Sequence, residues 1–192
     1  MKVVCLMGSP RQQGNTFTIV SEMLQPLLES GWDTAVHHLA AKDIHYCCGC
    51  KTCEQTGICI HTDDVSKIVE DMLSAELVLV ASPSYWGDVT GQMKVFIDRC
   101  TPFGNTNPNR SQSFTSAQGV AVTLRAGPNK GESLHLVHTI EHFLGHLDIP
   151  LLAQFTIEGI NTAADLVARP ELLTDARTFS QSLLCKLKTA AQ

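Results

Sequence analysis

Five short apolar runs alternate along the chain with longer stretches whose apolar residues recur every three to four positions. Residues 2–7 (KVVCLM) are almost continuously apolar and stop at Gly8-Ser9-Pro10, the pattern of a strand buried on both faces. Asn15-Thr16 then open a helical segment with Phe17, Val20, Met23, Leu24, Leu27 and Leu28 on one side, ending at Gly31. A weaker strand is predicted from roughly Thr34 to Leu39. Thr62-Asp63-Asp64 supply the short polar side chains that cap a helix from about Val65 to Ser74. LVLVAS at 77–82 is the clearest central strand, and Pro83 closes it.

Gln92 to Cys100 reads as a helix with Met93, Phe96 and Ile97 buried, and the polar stretch 103–117, rich in Asn, Ser and Gly, reads as a loop. VAVTL at 120–124 is a fourth strand, followed by Gly127-Pro128 and a helix over about 131–147. LLAQFTI at 151–157 is a fifth strand, and a last helix is expected from Leu172 to Lys188. This alternation predicts an α/β fold: a doubly wound five-stranded parallel sheet with helices on both faces. At 192 residues the chain suits a single domain, 1–192, with one full core. In such sheets ligands sit at the carboxyl ends of the strands near the switch in strand order, so the loops after strands one, three and four are the places to inspect.

Composition narrows the class. No stretch approaches the length needed to span a bilayer. The first run is too short for a signal-peptide core and has one basic residue before it, which predicts a cytoplasmic protein with no membrane partner. A net charge of −5 without a basic stripe argues against nucleic acid. In a reducing compartment, eight cysteines point to metal or redox chemistry rather than to disulfides. Cys5, Cys100 and Cys185 lie in apolar, periodic segments and read as small core residues.

The loop after the first strand, Gly8 to Thr16, leads directly into a helix. Its hydroxyls, backbone amides and the Arg11 guanidinium suit a phosphate dianion at the positive end of a helix dipole. It is neither a Walker loop nor a G-x-G-x-x-G turn, and the alternative is a plain strand-to-helix connection with a good cap. The loop after the third strand, Ser82 to Asp88, sets Tyr85 and Trp86 beside small residues. Aromatics there suit a flat, partly apolar ring, or else they roof the sheet or serve a subunit contact. Taken together, the two loops make a flavin mononucleotide the leading ligand.

The segment 45–62 carries Cys47, Cys50, Cys53 and Cys59 in the spacing C-x2-C-x2-C-x5-C, with Gly49 and Gly57 to make tight bends. Thiolates this close suit a cubane iron–sulfur cluster. Zinc is the rival metal, although its common sites pair two well-separated C-x2-C knuckles. Plain thiols are the remaining reading. On the helix at 131–147, His135, His138, His142 and His146 fall within about 80° of one another, opposite the apolar face. The stripe includes i,i+4 pairs able to chelate a metal. It reads as a polar outer face turned to solvent or a partner subunit, and no metal is assigned to it.

GSPRQQGNT, then the cysteine segment running into Asp63-Asp64, then SPSYWGDVTGQMKVFIDR, together resemble the NADPH-dependent FMN reductase family, with the iron–sulfur flavoproteins as the nearest branch. The resemblance runs in order from residue 1 to about 100; beyond that only the strand–helix rhythm matches. It implies a flavodoxin-like fold with FMN phosphate bound by Ser9, Arg11, Gly14, Asn15 and Thr16. It implies that Pro83, Ser84, Tyr85, Trp86 and Gly87 line the isoalloxazine, with Arg125 meeting the flavin from the fourth strand. It implies Cys47, Cys50, Cys53 and Cys59 as ligands of a [4Fe–4S] cluster, leaving Cys48 outside. It further implies a homodimer or homotetramer and a nicotinamide, NAD(P)H, or ferredoxin-type electron donor. The function expected is an FMN-dependent oxidoreductase passing electrons between FMN, the cluster and an external carrier. A cluster-free NAD(P)H-dependent FMN or quinone reductase is the alternative in the same class, and a zinc-stabilised, non-catalytic binding module the alternative in another. The flavin carries the chemistry, so no side chain is assigned as catalytic.

Overall fold

Strand β1 (Lys2–Met7) is buried from Val3 onward because it lies inside a sheet, paired in parallel with β2 (Asp33–His38) on one side and β3 (Leu77–Pro83) on the other. The structure, a computed structural model, describes residues 1–110, 112–114 and 116–190, with side chains to 187. The predicted loop 103–117 therefore includes two positions, Ser111 and Thr115, outside the described residues. Strands β4 (Gln118–Leu124) and β5 (Leu151–Ile157) complete a five-stranded parallel sheet of order β2-β1-β3-β4-β5. This is the flavodoxin-like order, whose switch point lies between β1 and β3.

Alternation along each strand splits the core into two layers. Val3, Cys5, Met7, Leu77 and Leu79 face the layer filled by α1 (Asn15–Glu29) and α7 (Glu171–Ala190). Val4, Leu6, Val78, Val80 and Ala121 face the other layer, filled by α3 (Asp64–Leu73), α4 (Gly91–Arg99) and α5 (Lys130–His146). Helix α3 starts where the polar cluster predicts: the Asp63 carboxylate accepts the Val65 N–H at 3.2 Å. Two short helices went unforeseen, α2 (Thr52–Thr56) within the cysteine segment and α6 (Ala163–Val167) after β5.

Cys5 and Cys100 are core residues, and burial pushes both thiols up. Cys185 corrects the expectation: it lies on the exposed side of α7. The buried stripe of that helix runs through Leu172, Ala176, Ser180 and Leu183, and a residue two positions beyond Leu183 is turned about 200° from it. Among the described residues no helix is long and apolar enough to cross a membrane.

Candidate functional site

At the switch point, backbone bonds shape the first loop. The Gly8 N–H donates to Ala81 O at 2.8 Å, and the Thr90 hydroxyl donates to Gly8 O at 2.5 Å. The Ser9 hydroxyl accepts the Arg11 N–H at 3.2 Å and donates to Arg11 O at 3.1 Å, while the Gly14 N–H reaches Arg11 O at 3.2 Å. Gly14 caps α1 and no side chain bonds the first turn, so the positive end of that helix is left for another group.

Of the predicted residues, Ser9, Arg11, Asn15 and Thr16 from the first loop, Pro83, Ser84 and Tyr85 from the third, and Arg125 from the fourth line one hollow of about 70 Å³. The Ser84 N–H donates to Leu124 O at 2.7 Å, which locks the third loop to the end of β4. Ile160 and Asn161 beyond β5 complete the wall, and the Asn15 side-chain amide donates to Thr162 O at 2.9 Å. Sequence reasoning missed this fourth contributor, although the Gly159 turn after β5 marked it. The Arg125 guanidinium bonds Glu132 Oε2 at 2.5 Å and also the Asn129 carbonyl. Among the described residues its buried Nε has no partner, a cost of roughly 1–3 kcal/mol that a bound acceptor would relieve.

Trp86 and Gly87 do not line the hollow. They form the tip of a tight turn in which Tyr85 and Asp88 exchange N–H···O bonds of 2.9 and 3.1 Å. Both tip residues have positive φ, +56° at Trp86 and +81° at Gly87. The Trp86 ring is entirely exposed, and Tyr85 is 42% exposed.

The cysteine segment is held at both ends by one buried ion pair. Arg99, the last residue of α4, bonds Asp63 at 2.5 and 3.2 Å and His45 O at 2.8 Å, with side-chain exposures of 1% for Arg99 and 0% for Asp63. Burial works to raise the Asp63 carboxyl, but the Arg99 bonds and the His45 and Val65 amides outweigh it and hold it at about 2. Between these ends the chain bends at Gly49, Lys51 and Gly57, all with positive φ; the glycines were expected and Lys51 was not. Asn107 donates to Cys53 O at 3.1 Å and Asn109 to Glu54 O at 2.6 Å, so the start of the polar loop braces α2.

Cys47, Cys50, Cys53 and Cys59 all line one hollow of about 30 Å³ together with Arg99 and His61, and Cys48, expected outside the set, lines it too. Burial and the nearness of Cys59, Cys47 and Cys50 push the Cys53 thiol up. Hydrogen bonds from the Thr52 side chain and backbone lower that of Cys50. The donor set suits a thiolate-bound group. Even so, among the described residues no three His, Cys, Asp or Glu side chains already surround one metal-ion position.

All four stripe histidines are exposed, as expected for an outer face. They border a groove of about 620 Å³ between α4 and α5, where the His142 and His146 Nε2 atoms lie 3.1 Å apart.

Comparison with known proteins agrees with this architecture. The model of NADPH-dependent FMN reductases matches residues 1–160, which contain the cysteine hollow and every lining residue of the switch-point hollow except Asn161. An iron-sulfur flavoprotein of Archaeoglobus fulgidus is 35% identical over 134 residues, 70% of this chain, and the chain spans only 59% of that protein's length. One from Methanocaldococcus jannaschii is 35% identical over 146 residues, 76% of this chain and 73% of that protein. Among solved structures, an NAD(P)H:quinone oxidoreductase from Methanothermobacter marburgensis superposes with a TM-score of 0.73 at 17% identity, over 95% of this chain and 96% of that one, and so shares the fold. A flavodoxin-like sheet, a ligand hollow at its switch point and a match over most of its length together show that the chain belongs to the NADPH-dependent FMN reductase family.

Proposed function

We propose that the protein is an FMN-dependent oxidoreductase that passes electrons between FMN, a [4Fe–4S] cluster on Cys47, Cys50, Cys53 and Cys59, and an external nicotinamide or ferredoxin-type carrier. The observation that carries the reading is the pairing of two hollows by one helix. Thr90, the N-cap of α4, bonds the first loop, and Arg99 at its other end bonds the cysteine segment. Nine helical residues separate these ends by roughly 13 Å.

When bound, FMN supplies hydride acceptance from a nicotinamide and release of electrons singly. The chain binds and orients. The enclosed 70 Å³ is phosphate-sized, far below the roughly 300–1,000 Å³ of a pocket that swallows a whole ligand. Ser9, Arg11, Gly14, Asn15 and Thr16 would hold the phosphate at the uncapped end of α1. Pro83, Ser84 and Tyr85 would take the near part of the ring, with Trp86 and Gly87 over its open side and the Arg125 Nε–H as a donor at its edge. The four cysteines, under the Arg99 charge, would hold the cluster. We read the molecule as a cytoplasmic homodimer or homotetramer.

One observation favours a cluster-free NAD(P)H-dependent FMN or quinone reductase instead: among the described residues no three thiols are gathered around a single position. An anaerobic absorption spectrum with an iron assay separates the readings. Flavin bands plus a broad shoulder and about four irons per chain support the proposal. Flavin bands without iron support the cluster-free reductase. Protein that neither contains nor takes up FMN overturns both.

A further inference from the structure

We infer that Arg99 positions Cys59 and supplies the charge that raises the reduction potential of whatever the cysteine hollow binds; the inference rests on the cluster reading above. Arg99 heads the largest side chains that are fully buried in the protein. Its two Nη groups are committed to Asp63 and to the His45 carbonyl, so one guanidinium pins both ends of the segment that carries the five cysteines. Its Nε is buried without a partner, and the residue forms part of the cysteine wall. Burial works to lower the pKa of the guanidinium, but Asp63 and the nearby Cys59 outweigh it and keep it charged, and Cys59 lines the same hollow.

Asp63 does not fully cancel this charge toward the cysteines. Its oxygens are held by Arg99 and by the backbone N–H groups of His45 at 3.0 Å and Val65 at 3.2 Å, and it is Arg99, not Asp63, that lines the cysteine hollow. The unspent donor capacity and positive charge of Arg99 are therefore available on the side of Cys59. A cation and an N–H donor beside a ligating sulfur favour the form carrying one more electron, which raises the potential. The fork geometry is needed to bond Asp63 and the His45 carbonyl while an N–H remains for the cysteine wall, so lysine is not an equivalent residue. The FMN hollow makes no use of this arginine.

The test compares anaerobically reconstituted wild type, Arg99→Lys, and the double variant Arg99→Gln/Asp63→Asn. The double variant leaves amides in place of the pair, so neither charge is stranded in the interior. Iron per chain and the midpoint potential, read from visible absorbance during reductive titration, are the measurements. Wild type is expected to hold about four irons. Arg99→Lys is expected to hold less iron, with the potential of the remaining centres near that of wild type. In the double variant the ratio of oxidised to reduced centres should rise roughly tenfold at a fixed potential, about 59 mV for a one-electron couple. Full iron in both variants with an unshifted potential overturns the inference and leaves the cluster reading standing. If the double variant does not fold, unchanged iron in Arg99→Lys overturns the positioning role by itself. Wild type that takes up no iron removes the cluster reading, and the role of Arg99 with it.

Discussion

Thr90 and Gly8, 82 residues apart in sequence, are joined by a buried hydrogen bond of 2.5 Å from the hydroxyl to the carbonyl. The same hydroxyl oxygen accepts the Met93 N–H at 3.3 Å as the cap of α4, and the Thr90 N–H donates to the Ser82 hydroxyl at 3.2 Å. One residue thus ties the end of β1, the end of β3 and the start of α4 together at the strand switch, its hydroxyl holding β1 and α4 and its N–H holding β3. A Cβ on Gly8 would come within 3.1 Å of Met93 Cβ and Thr90 Oγ1, so the approach is already close.

Thr90→Val keeps the shape and deletes both hydroxyl bonds. It is expected to lower stability by roughly 1–2 kcal/mol in urea unfolding, the sum of a lost cap and an unsatisfied carbonyl. FMN affinity, followed by flavin fluorescence, should fall with it because the first loop loses its anchor. An unchanged urea midpoint would show that the link carries no weight.

Gly57→Ala should disturb the cysteine segment directly. Gly57 has a φ of +74°, and an added Cβ would sit 2.3 Å from the Asn109 carbonyl oxygen, a backbone atom that cannot swing aside. Either α2 or the loop at 104–110 must move. Limited proteolysis should cut between residues 46 and 62 faster in the variant than in wild type, while the sheet core keeps its protection. Equal cutting rates would mean that the brace through Asn107 and Asn109 tolerates the shift.

Acid should weaken the same region. Asp63 has a folded-state pKa of about 2 against an ordinary 3.8, so the unfolded chain takes up its proton first. Stability from this group is complete above about pH 4 and is lost as the pH falls toward 2, amounting to roughly 2 kcal/mol. Asp63→Asn should flatten that part of the pH–stability curve measured by chemical unfolding. A variant curve parallel to wild type between pH 4 and 2 would assign the acid loss to other carboxylates.

The sheet was legible because the central strands are nearly unbroken apolar runs, and in β1 and β3 the run is closed by Gly8 and Pro83. The strand order was expected only through the family resemblance, since parallel pairing allows several orders, but the loops at the carboxyl ends of strands one, three and four could be named in advance. Three things were not readable from local pattern. Cys185 looks apolar and periodic, but the face it occupies depends on how α7 is rotated against the sheet. Arg99 reads as an ordinary helix-end cation, and only tertiary contact with Asp63 shows it buried. Trp86 reads as a residue beside the ring, and the two-residue turn that sets it outside the hollow is visible only in the backbone.

That turn gives the last prediction. Two-residue turns with positive φ at both central positions favour Asn-Gly, and a bulky aromatic held in the left-handed region costs of order 1 kcal/mol or more. Trp86 occupies the first central position with its ring entirely in solvent, so nothing in the isolated chain offsets the strain. Trp86→Asn should therefore stabilise the flavin-free protein by about 0.5–1 kcal/mol in urea unfolding. If the ring is kept for its contact with FMN, the same variant should bind FMN more weakly in a fluorescence titration, reversing the gain when the cofactor is present. Stabilisation without any loss of FMN affinity would remove Trp86 from the flavin site. Destabilisation of the flavin-free protein would mean that the exposed ring has a partner, such as a second copy of the chain.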